Sequence, residues 1–297
     1  MERHAQTLFA ACLTTNSRRA YERHWRNFNK FAARLRLPFN PASARTVVCY
    51  IAYLSSNNVA ASIPAALSAI AFMHKASFKT DPTNSFFIEK IKAGLRKTLV
   101  ADRRIPITHE MLLKILQAVD YTADSKYLAL MFKALFSLMF HAFLRIGEVT
   151  HSPHNISYNN IVIDHKTVAV TFVSFKHHVG DPVTVVIATN PSKSCPVKLL
   201  NQYLALRGKL YGPLFCMPGA VAVTPGMLRE MLRRSTIFAK LPSQLIKPHS
   251  FRIGAATQAA SKGASDQQIR SLGRWKSDAY KKYIRNLQFS IPSSLMI

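Results

Sequence analysis

Three short segments of the chain hold arginines whose neighbours could support chemistry: LRIGE (144–148), where arginine is followed by glutamate, HSFRIGA (249–255), where it follows histidine, and GRWKSDAYKKYIR (273–285), where it accompanies tryptophan and tyrosine. Tyrosine can be a covalent nucleophile, but its free pKa of about 10 means that it needs help at neutral pH. Arginine grips a phosphate through two parallel hydrogen bonds and can neutralise the charge that develops during attack. These residue types therefore suit attack of a tyrosine on a phosphodiester, for which no metal ion is required.

Each segment also has a plain structural interpretation. Arg145 ends a very apolar run, and Glu148, three residues on, could simply pair with its guanidinium. His249 and Arg252 follow a proline at the start of a predicted helix, where both side chains point the same way and anions are favoured. A helix cap with surface charge would give the same pattern. The bases of the third segment could line the solvated face of an amphipathic helix.

The charge of the chain indicates a polyanionic partner. Its 297 residues hold 40 Lys and Arg against 14 Asp and Glu, a formal net charge of +26. Residues 1–100 hold 15 of these bases and 4 of the acids, and residues 101–297 hold the other 25 and 10, so the excess is not confined to a tail. Nucleic acid is the first candidate partner, and a membrane surface is the second.

Residues 1–100 have the pattern of helices separated by polar or proline-containing breaks. In SRRAYERHWRNFNKFAARL, aromatic residues recur at helical spacing and predict a packed face. A second stripe on the same helix, at spacing i, i+4, i+7, i+11, consists of Arg19, Arg23, Arg26 and Lys30. This stripe could bind DNA phosphates, although a solvated basic face explains it equally well.

The segment VADRRIPIT (100–108) has the composition of a linker, and Thr108 is a plausible cap for a helix that begins near His109. We therefore place a domain boundary there, with one domain at 1–103 and a second at 104–297.

A segment rich in Val, Ile, Thr and Phe, residues 159–190, breaks at 164–166 and again at 179–182. This pattern predicts three short antiparallel strands joined by turns. After Pro191 the signals are helical again to the end of the chain. The predicted fold class is mainly α with a small antiparallel β-sheet (α+β).

Several other kinds of site have no support in the sequence. The four cysteines form no C-x-x-C pair and the histidines show no metal-ligand pattern, so we expect no metal site. The chain has no G-x-x-x-x-G-K-[ST] loop, so we expect no nucleotide cofactor. The most apolar stretch, Tyr127 to Leu144, contains Lys133, Ser137 and His141 and predicts a buried helix rather than a membrane span.

The order of the motifs is more specific than any one of them. LRIGE, a lysine in a strand hairpin, H-S-F-R, G-R-W and Y-I-R follow one another at spacings that resemble those of the tyrosine recombinase (phage integrase) family. The resemblance covers nearly the whole chain, and GRWKSDAYKKYIR is most similar to recombinases of DIRS and Crypton mobile elements. It implies a helical core-binding (SAM-like) domain at 1–103 and a catalytic tyrosine recombinase domain at 104–297.

The resemblance also implies roles for individual residues. Arg145 matches the first catalytic arginine, and His249 and Arg252 match the H-x-x-R pair. Trp275 stands where family members have His or Trp, and its indole N–H would bond the phosphate. Tyr283 matches the nucleophile, because Y-I-R is its usual context. Tyr280 is the alternative nucleophile, since the gap from tryptophan to tyrosine is one residue shorter than the family pattern.

The catalytic lysine of the family lies in the hairpin between the second and third strands. Lys176 fits that place best and would protonate the leaving 5′ oxygen. Lys166, in the preceding turn, is the alternative, and a solvated hairpin lysine is the plain structural interpretation.

The resemblance implies a site-specific recombinase that forms a 3′-phosphotyrosyl DNA intermediate without ATP. Its implied partners are double-stranded DNA and further copies of the chain, in a tetramer, with no membrane. The implied location is the nucleus for a eukaryotic mobile element, and otherwise the cytoplasm or nucleoid. Two rival functions remain open: a domesticated DNA-binding protein whose catalysis has lapsed, and a type IB topoisomerase, which shares the tyrosine chemistry.

Overall fold

The structure is a computed structural model that describes residues 2–57, 59–98, 103–175 and 180–285. The contacts divide the chain into two compact units, Met1–Asp102 and Arg103–Ile297. The assignment of DNA binding to residues 1–103 and of catalysis to residues 104–297 stays a prediction.

The first unit is helical over its described residues. Its α-helices are α1 (Glu2–Ala11), α2 (Thr15–Arg34), α3 (Ala44–Ser56), α4 (Ile63–Ala76) and α5 (Phe86–Thr98).

The amphipathic pattern of α2 organises the packing of this unit. The side chain of Thr14 caps the helix by accepting a hydrogen bond from the backbone N–H of Ser17. Phe28, Phe31 and Ala32 are buried in the core of the unit, against residues of α3 and α4. The predicted apolar face of this helix is therefore confirmed, and its basic stripe lies on the opposite, exposed face.

The second unit is built around a buried helix. Its α-helices are α6 (His109–Thr122), α7 (Lys126–His141), α8 (Ile146–Val149), α9 (Pro196–Arg207), α10 (Pro225–Phe238), α11 (His249–Ser261) and α12 (Asp266–Gly273).

Helix α7 carries the apolar run and lies in the core of the unit, packed against α6, α9 and α11. Ten of its sixteen residues are buried, including all seven from Ala134 to Phe140, because helices surround it on several sides. The predicted cap of α6 is confirmed, since Thr108 accepts a hydrogen bond from the backbone N–H of Met111. Among the described residues, no helix is both long and apolar enough to cross a membrane.

A small antiparallel sheet completes the second unit, in the order β1 (Ile161–Ile163), β2 (Thr167–Phe172), β3 (Val183–Ala188). Along β2, Val168, Val170 and Phe172 point into the core while the residues between them are more exposed, which is the alternation expected of a half-buried strand. The three predicted strands and the α+β fold class are confirmed.

The structure differs from the sequence prediction in two places after residue 191. A second, two-stranded sheet pairs β4 (Cys216–Met217) with β5 (Val221–Ala222). Strands of two residues carry too few side chains to show a periodicity. The C-terminal basic segment is not one amphipathic helix either: α12 ends at Gly273, and a separate 3-10 helix spans Asp278–Tyr283.

A close backbone contact fixes the start of α11, which carries two of the predicted catalytic residues. The backbone N–H of Ile107 donates to the carbonyl of Ser250 at 3.1 Å. A Cβ atom on Gly254 would lie only 1.9 Å from the Ile107 carbonyl oxygen. Only glycine allows this approach, so Gly254 sets how deeply the helix packs.

Candidate active site

The candidate site lies where the end of α7, the short α8, the first turns of α11, the end of α12 and the 3-10 helix meet. Five of the six predicted catalytic residues come together here: Arg145, His249, Arg252, Trp275 and Tyr283. The sixth, Lys176, lies outside the described residues.

Arg145 and Glu148 form a compact pair at the start of α8. The Glu148 carboxylate accepts a hydrogen bond from the backbone N–H of Arg145 at 2.8 Å and another from its guanidinium Nη1 at 3.2 Å. Glu148 is buried, whereas the Arg145 side chain keeps 23% of its surface exposed. The Arg145 guanidinium is therefore accessible to a ligand that arrives from solvent, while Glu148 holds the backbone of Arg145 in place.

Arg252 is fully buried, which its sequence pattern did not indicate. Its two terminal nitrogens donate short hydrogen bonds to the carbonyls of Phe143 and Gly273, and its Nε–H has no acceptor among the described residues. Burial, followed by the charges of Arg145 and Arg274, lowers the pKa of the Arg252 guanidinium to about 9. The group stays protonated at neutral pH, and its buried charge lacks a full complement of partners.

Trp275 covers this guanidinium. The Arg252 Cζ lies 3.9 Å from the centroid of the Trp275 ring, within the range of a cation–π contact. The ring packs so tightly on the backbone of Gly273 that a Cβ there would lie 1.6 Å from a ring carbon. Glycine at residue 273 is therefore required for the tryptophan to reach Arg252.

Tyr283 lies at the centre of the predicted catalytic residues. Its ring centroid is 5.0 Å from that of Trp275 and 4.9 Å from that of His249, and the Arg252 Cζ lies 5.6 Å from it. Its ring is half-buried and lies beside a histidine and a cationic group, which are the neighbours that a phenol nucleophile needs.

Thr257, on α11, holds the backbone on either side of this tyrosine. Its hydroxyl donates to the carbonyl of Tyr283 at 3.1 Å and accepts from the backbone N–H of Arg285 at 3.1 Å. Thr257 is buried, so the two bonds are shielded from water. One side chain thus fixes the position of residues 283–285 relative to the helix that carries His249 and Arg252.

Tyr280 occupies a different environment. It is buried in a small cluster with Phe143, Ala256 and Ile269. The interaction with the carboxylate of Asp266, followed by burial, raises the pKa of its phenol. A buried phenol with a raised pKa is a poor nucleophile, so the geometry favours Tyr283 over Tyr280.

Arg274 belongs to the site but was missed by the sequence analysis. It is buried, donates to the Glu148 carboxylate at 3.0 Å and stacks on Phe172, with its Cζ 3.8 Å from the ring centroid. No local pattern could have found it, because it stands in a run of bases and its acidic partner lies 126 residues away.

The lysine remains a prediction. Lys166 is exposed in the turn between β1 and β2, where its backbone N–H donates to Asp164. No described contact joins its side chain to the residues of the site. No group of three or more His, Cys, Asp or Glu that could hold a metal ion occurs within the described parts of the chain.

The charges of the site are unbalanced. Among the described residues, Arg145, Arg252 and Arg274 face one carboxylate, that of Glu148, which leaves two positive charges in a largely buried space. Buried charges are normally paired, and an excess of this kind is stabilised by a bound anion. The arrangement therefore suits a phosphate group.

The predicted DNA-binding stripe belongs to the first unit and is described separately. Arg19, Arg23, Arg26 and Lys30 are all exposed on α2. Arg23 and Lys30 line a depression of about 600 Å³, together with aromatic residues that include Tyr53. Arg19 and Arg26 are not among its lining residues.

Comparison with known proteins gives a result for structure only. No protein-family model matches the chain, and no curated protein matches it. A lambda integrase dimer bound to a COC′ core site superposes with a TM-score of 0.67 at 16% identity, covering 97% of this chain and 95% of that one. The Tn1549 transposon integrase in complex with circular intermediate DNA gives 0.67 at 12% identity, covering 99% and 97%. This chain has the tyrosine recombinase fold.

A third structure agrees with this result. The XerH site-specific recombinase bound to a palindromic difH substrate has a TM-score of 0.57 at 15% identity, covering 81% of this chain and 66% of that one. The fold expected from the motif order is confirmed.

Proposed function

We propose that this chain is a site-specific DNA recombinase that uses Tyr283 as its nucleophile. The observation that carries the proposal is the position of the Tyr283 phenol against His249, Trp275 and Arg252. The tyrosine recombinase fold supports it, as does the net charge of +26.

In the proposed reaction, the Tyr283 oxygen attacks the scissile phosphorus and forms a 3′-phosphotyrosyl bond, while the bond from phosphorus to the 5′ oxygen breaks. His249, whose ring centroid lies 4.9 Å from that of Tyr283, is proposed to take the phenolic proton. Lys176 is proposed to protonate the leaving 5′ oxygen. The covalent link conserves the phosphodiester energy, so a 5′ hydroxyl of a partner strand can attack it without ATP.

The arginines would share the charge of the transition state. Arg145 is partly exposed and meets the phosphate first. Arg252 has no exposed surface and lies against the Trp275 ring, so its proposed contact with the phosphate involves movement of that ring. The Nε–H of Arg252 is then a donor available to the phosphate.

The proposed substrate is double-stranded DNA, held by exposed bases such as those of α2. The proposed working assembly is a tetramer, by analogy with a lambda integrase tetramer bound to a Holliday junction. For a eukaryotic mobile element this activity belongs in the nucleus.

A plasmid assay tests the proposal and separates it from its rivals. The plasmid carries two copies of the terminal sequence of the DNA element that encodes the chain. We expect a deletion product with wild type and none with Tyr283→Phe. Relaxation of a plasmid that lacks the terminal sequence would indicate a topoisomerase, and binding without any product would indicate a DNA-binding protein.

A further inference from the structure

Arg274 joins four elements of the candidate site through one side chain. Its guanidinium donates to the Ala142 carbonyl at the end of α7, to the Leu272 carbonyl of α12 and to the Glu148 carboxylate of α8. Its flat face lies on Phe172 at the end of β2. A residue that only capped α12 would need contacts with that helix alone, whereas Arg274 also contacts α7, α8 and β2.

The backbone of Arg274 is also unusual. Its φ and ψ of 54° and 47° lie in the left-handed region, where a helix normally ends with glycine. An arginine there costs about 1 kcal/mol. The chain accepts this conformation and gains the contacts of the guanidinium.

The contact with Glu148 bears directly on Arg145. One Glu148 oxygen, Oε2, accepts from both the Arg274 guanidinium and the Arg145 backbone, while Oε1 takes a single 3.2 Å bond from the Arg145 side chain. In the described contacts, Glu148 therefore holds the Arg145 guanidinium through one nitrogen, while Arg274 supplies the second positive charge beside the carboxylate. Without Arg274, Glu148 could form a two-bond pair with Arg145, which would occupy the donors that a phosphate needs.

We propose that Arg274 is a positioning residue for phosphoryl transfer: it holds Glu148 so that the Arg145 guanidinium stays directed at the scissile phosphate. This inference rests on the proposed function, since it assumes that Arg145 neutralises phosphate charge. Arg274 itself need not touch the DNA.

The test measures single-turnover cleavage of a nicked suicide duplex by wild type, Arg274→Gly and Arg274→Lys. Glycine suits the left-handed backbone, so Arg274→Gly removes the guanidinium without adding strain. Arg274→Lys keeps the charge and serves if the glycine variant does not fold. Arg270→Ala, which changes an arginine of α12 whose side chain is 43% exposed, is the control.

The decisive readout is a second duplex whose scissile phosphate is replaced by a neutral methylphosphonate. This group lacks the charge that Arg145 would neutralise, so a defect that acts through Arg145 should shrink on it. We expect Arg274→Gly to cleave the ordinary duplex about 10- to 100-fold more slowly than wild type, less than the roughly 100- to 1,000-fold cost of removing a transition-state donor outright, because Arg145 is redirected and not lost. On the methylphosphonate duplex we expect the ratio of the wild-type rate to the Arg274→Gly rate to fall to about threefold or less. Arg274→Lys should lose less than Arg274→Gly on the ordinary duplex, and its loss should also shrink on the methylphosphonate.

Two outcomes would overturn the inference while leaving the proposed function intact. An Arg274→Gly rate within twofold of wild type on the ordinary duplex would show that the guanidinium is not needed. An equal loss on both duplexes would show a general structural role. If wild type itself forms no adduct on DNA that it binds, the proposed function fails, and the inference fails with it.

Discussion

The hydroxyl of Thr257 provides a direct test of how the site holds its tyrosine. Thr257→Val keeps the shape of the side chain but removes the group that bonds the Tyr283 carbonyl and the Arg285 backbone N–H. We expect this variant to form the covalent DNA adduct more slowly while binding DNA as well as wild type does, because Thr257 is buried and presents no surface to a ligand.

The size of the effect follows from the two lost hydrogen bonds. Each bond contributes about 0.5–1.5 kcal/mol net, so the pair contributes about 1–3 kcal/mol. If that energy holds Tyr283 in its attacking position, the cleavage rate falls about 5- to 150-fold, at 1.36 kcal/mol for each factor of ten.

The assay is single-turnover cleavage at saturating protein, well below the melting temperature of each variant. Thr257→Ser keeps the hydroxyl and should stay within about threefold of wild type. Ser261→Ala, which removes an exposed hydroxyl of the same helix that bonds the Gln258 carbonyl, is the matched control. A Thr257→Val rate within twofold of wild type would refute the reasoning.

Two further predictions concern packing and DNA binding. Gly254→Ala should lower the free energy of unfolding by about 1–3 kcal/mol, or roughly 2–12 °C in Tm, because its Cβ would meet the Ile107 carbonyl. The control is Gly94→Ala, whose Cβ meets nothing within 4 Å, and equal melting temperatures for the two variants would contradict the prediction. Changing Arg23 and Lys30 together to Gln should reduce the slope of log affinity against log salt by about 2, measured by fluorescence anisotropy; an unchanged slope would show that neither residue contacts phosphate.

Much of the fold could be predicted because its signals are local. Thr108 caps α6 through a residue three positions on, and the alternation of β2 appears within six residues. The apolar run of α7 is buried, as its composition predicts. The hairpin of β4 and β5 could not be predicted, since each strand has two residues.

The site was only partly predictable, because its decisive contacts are distant in sequence. The order of the motifs predicted that Arg145, Arg252 and Tyr283 share a site, and in the structure the three residues lie close together. Nothing local showed that Arg252 is buried under a tryptophan, or that Arg274 pairs with Glu148 from 126 residues away. A basic run has the same composition whether its members face solvent or a buried carboxylate.

The most direct test of the central claim is the identity of the residue that becomes attached to DNA. Wild type, Tyr283→Phe and Tyr280→Phe are each mixed with the nicked suicide duplex and resolved on a denaturing gel. We predict a slowly migrating covalent adduct with wild type and with Tyr280→Phe, and none with Tyr283→Phe. An adduct that survives in Tyr283→Phe and disappears in Tyr280→Phe would contradict the account.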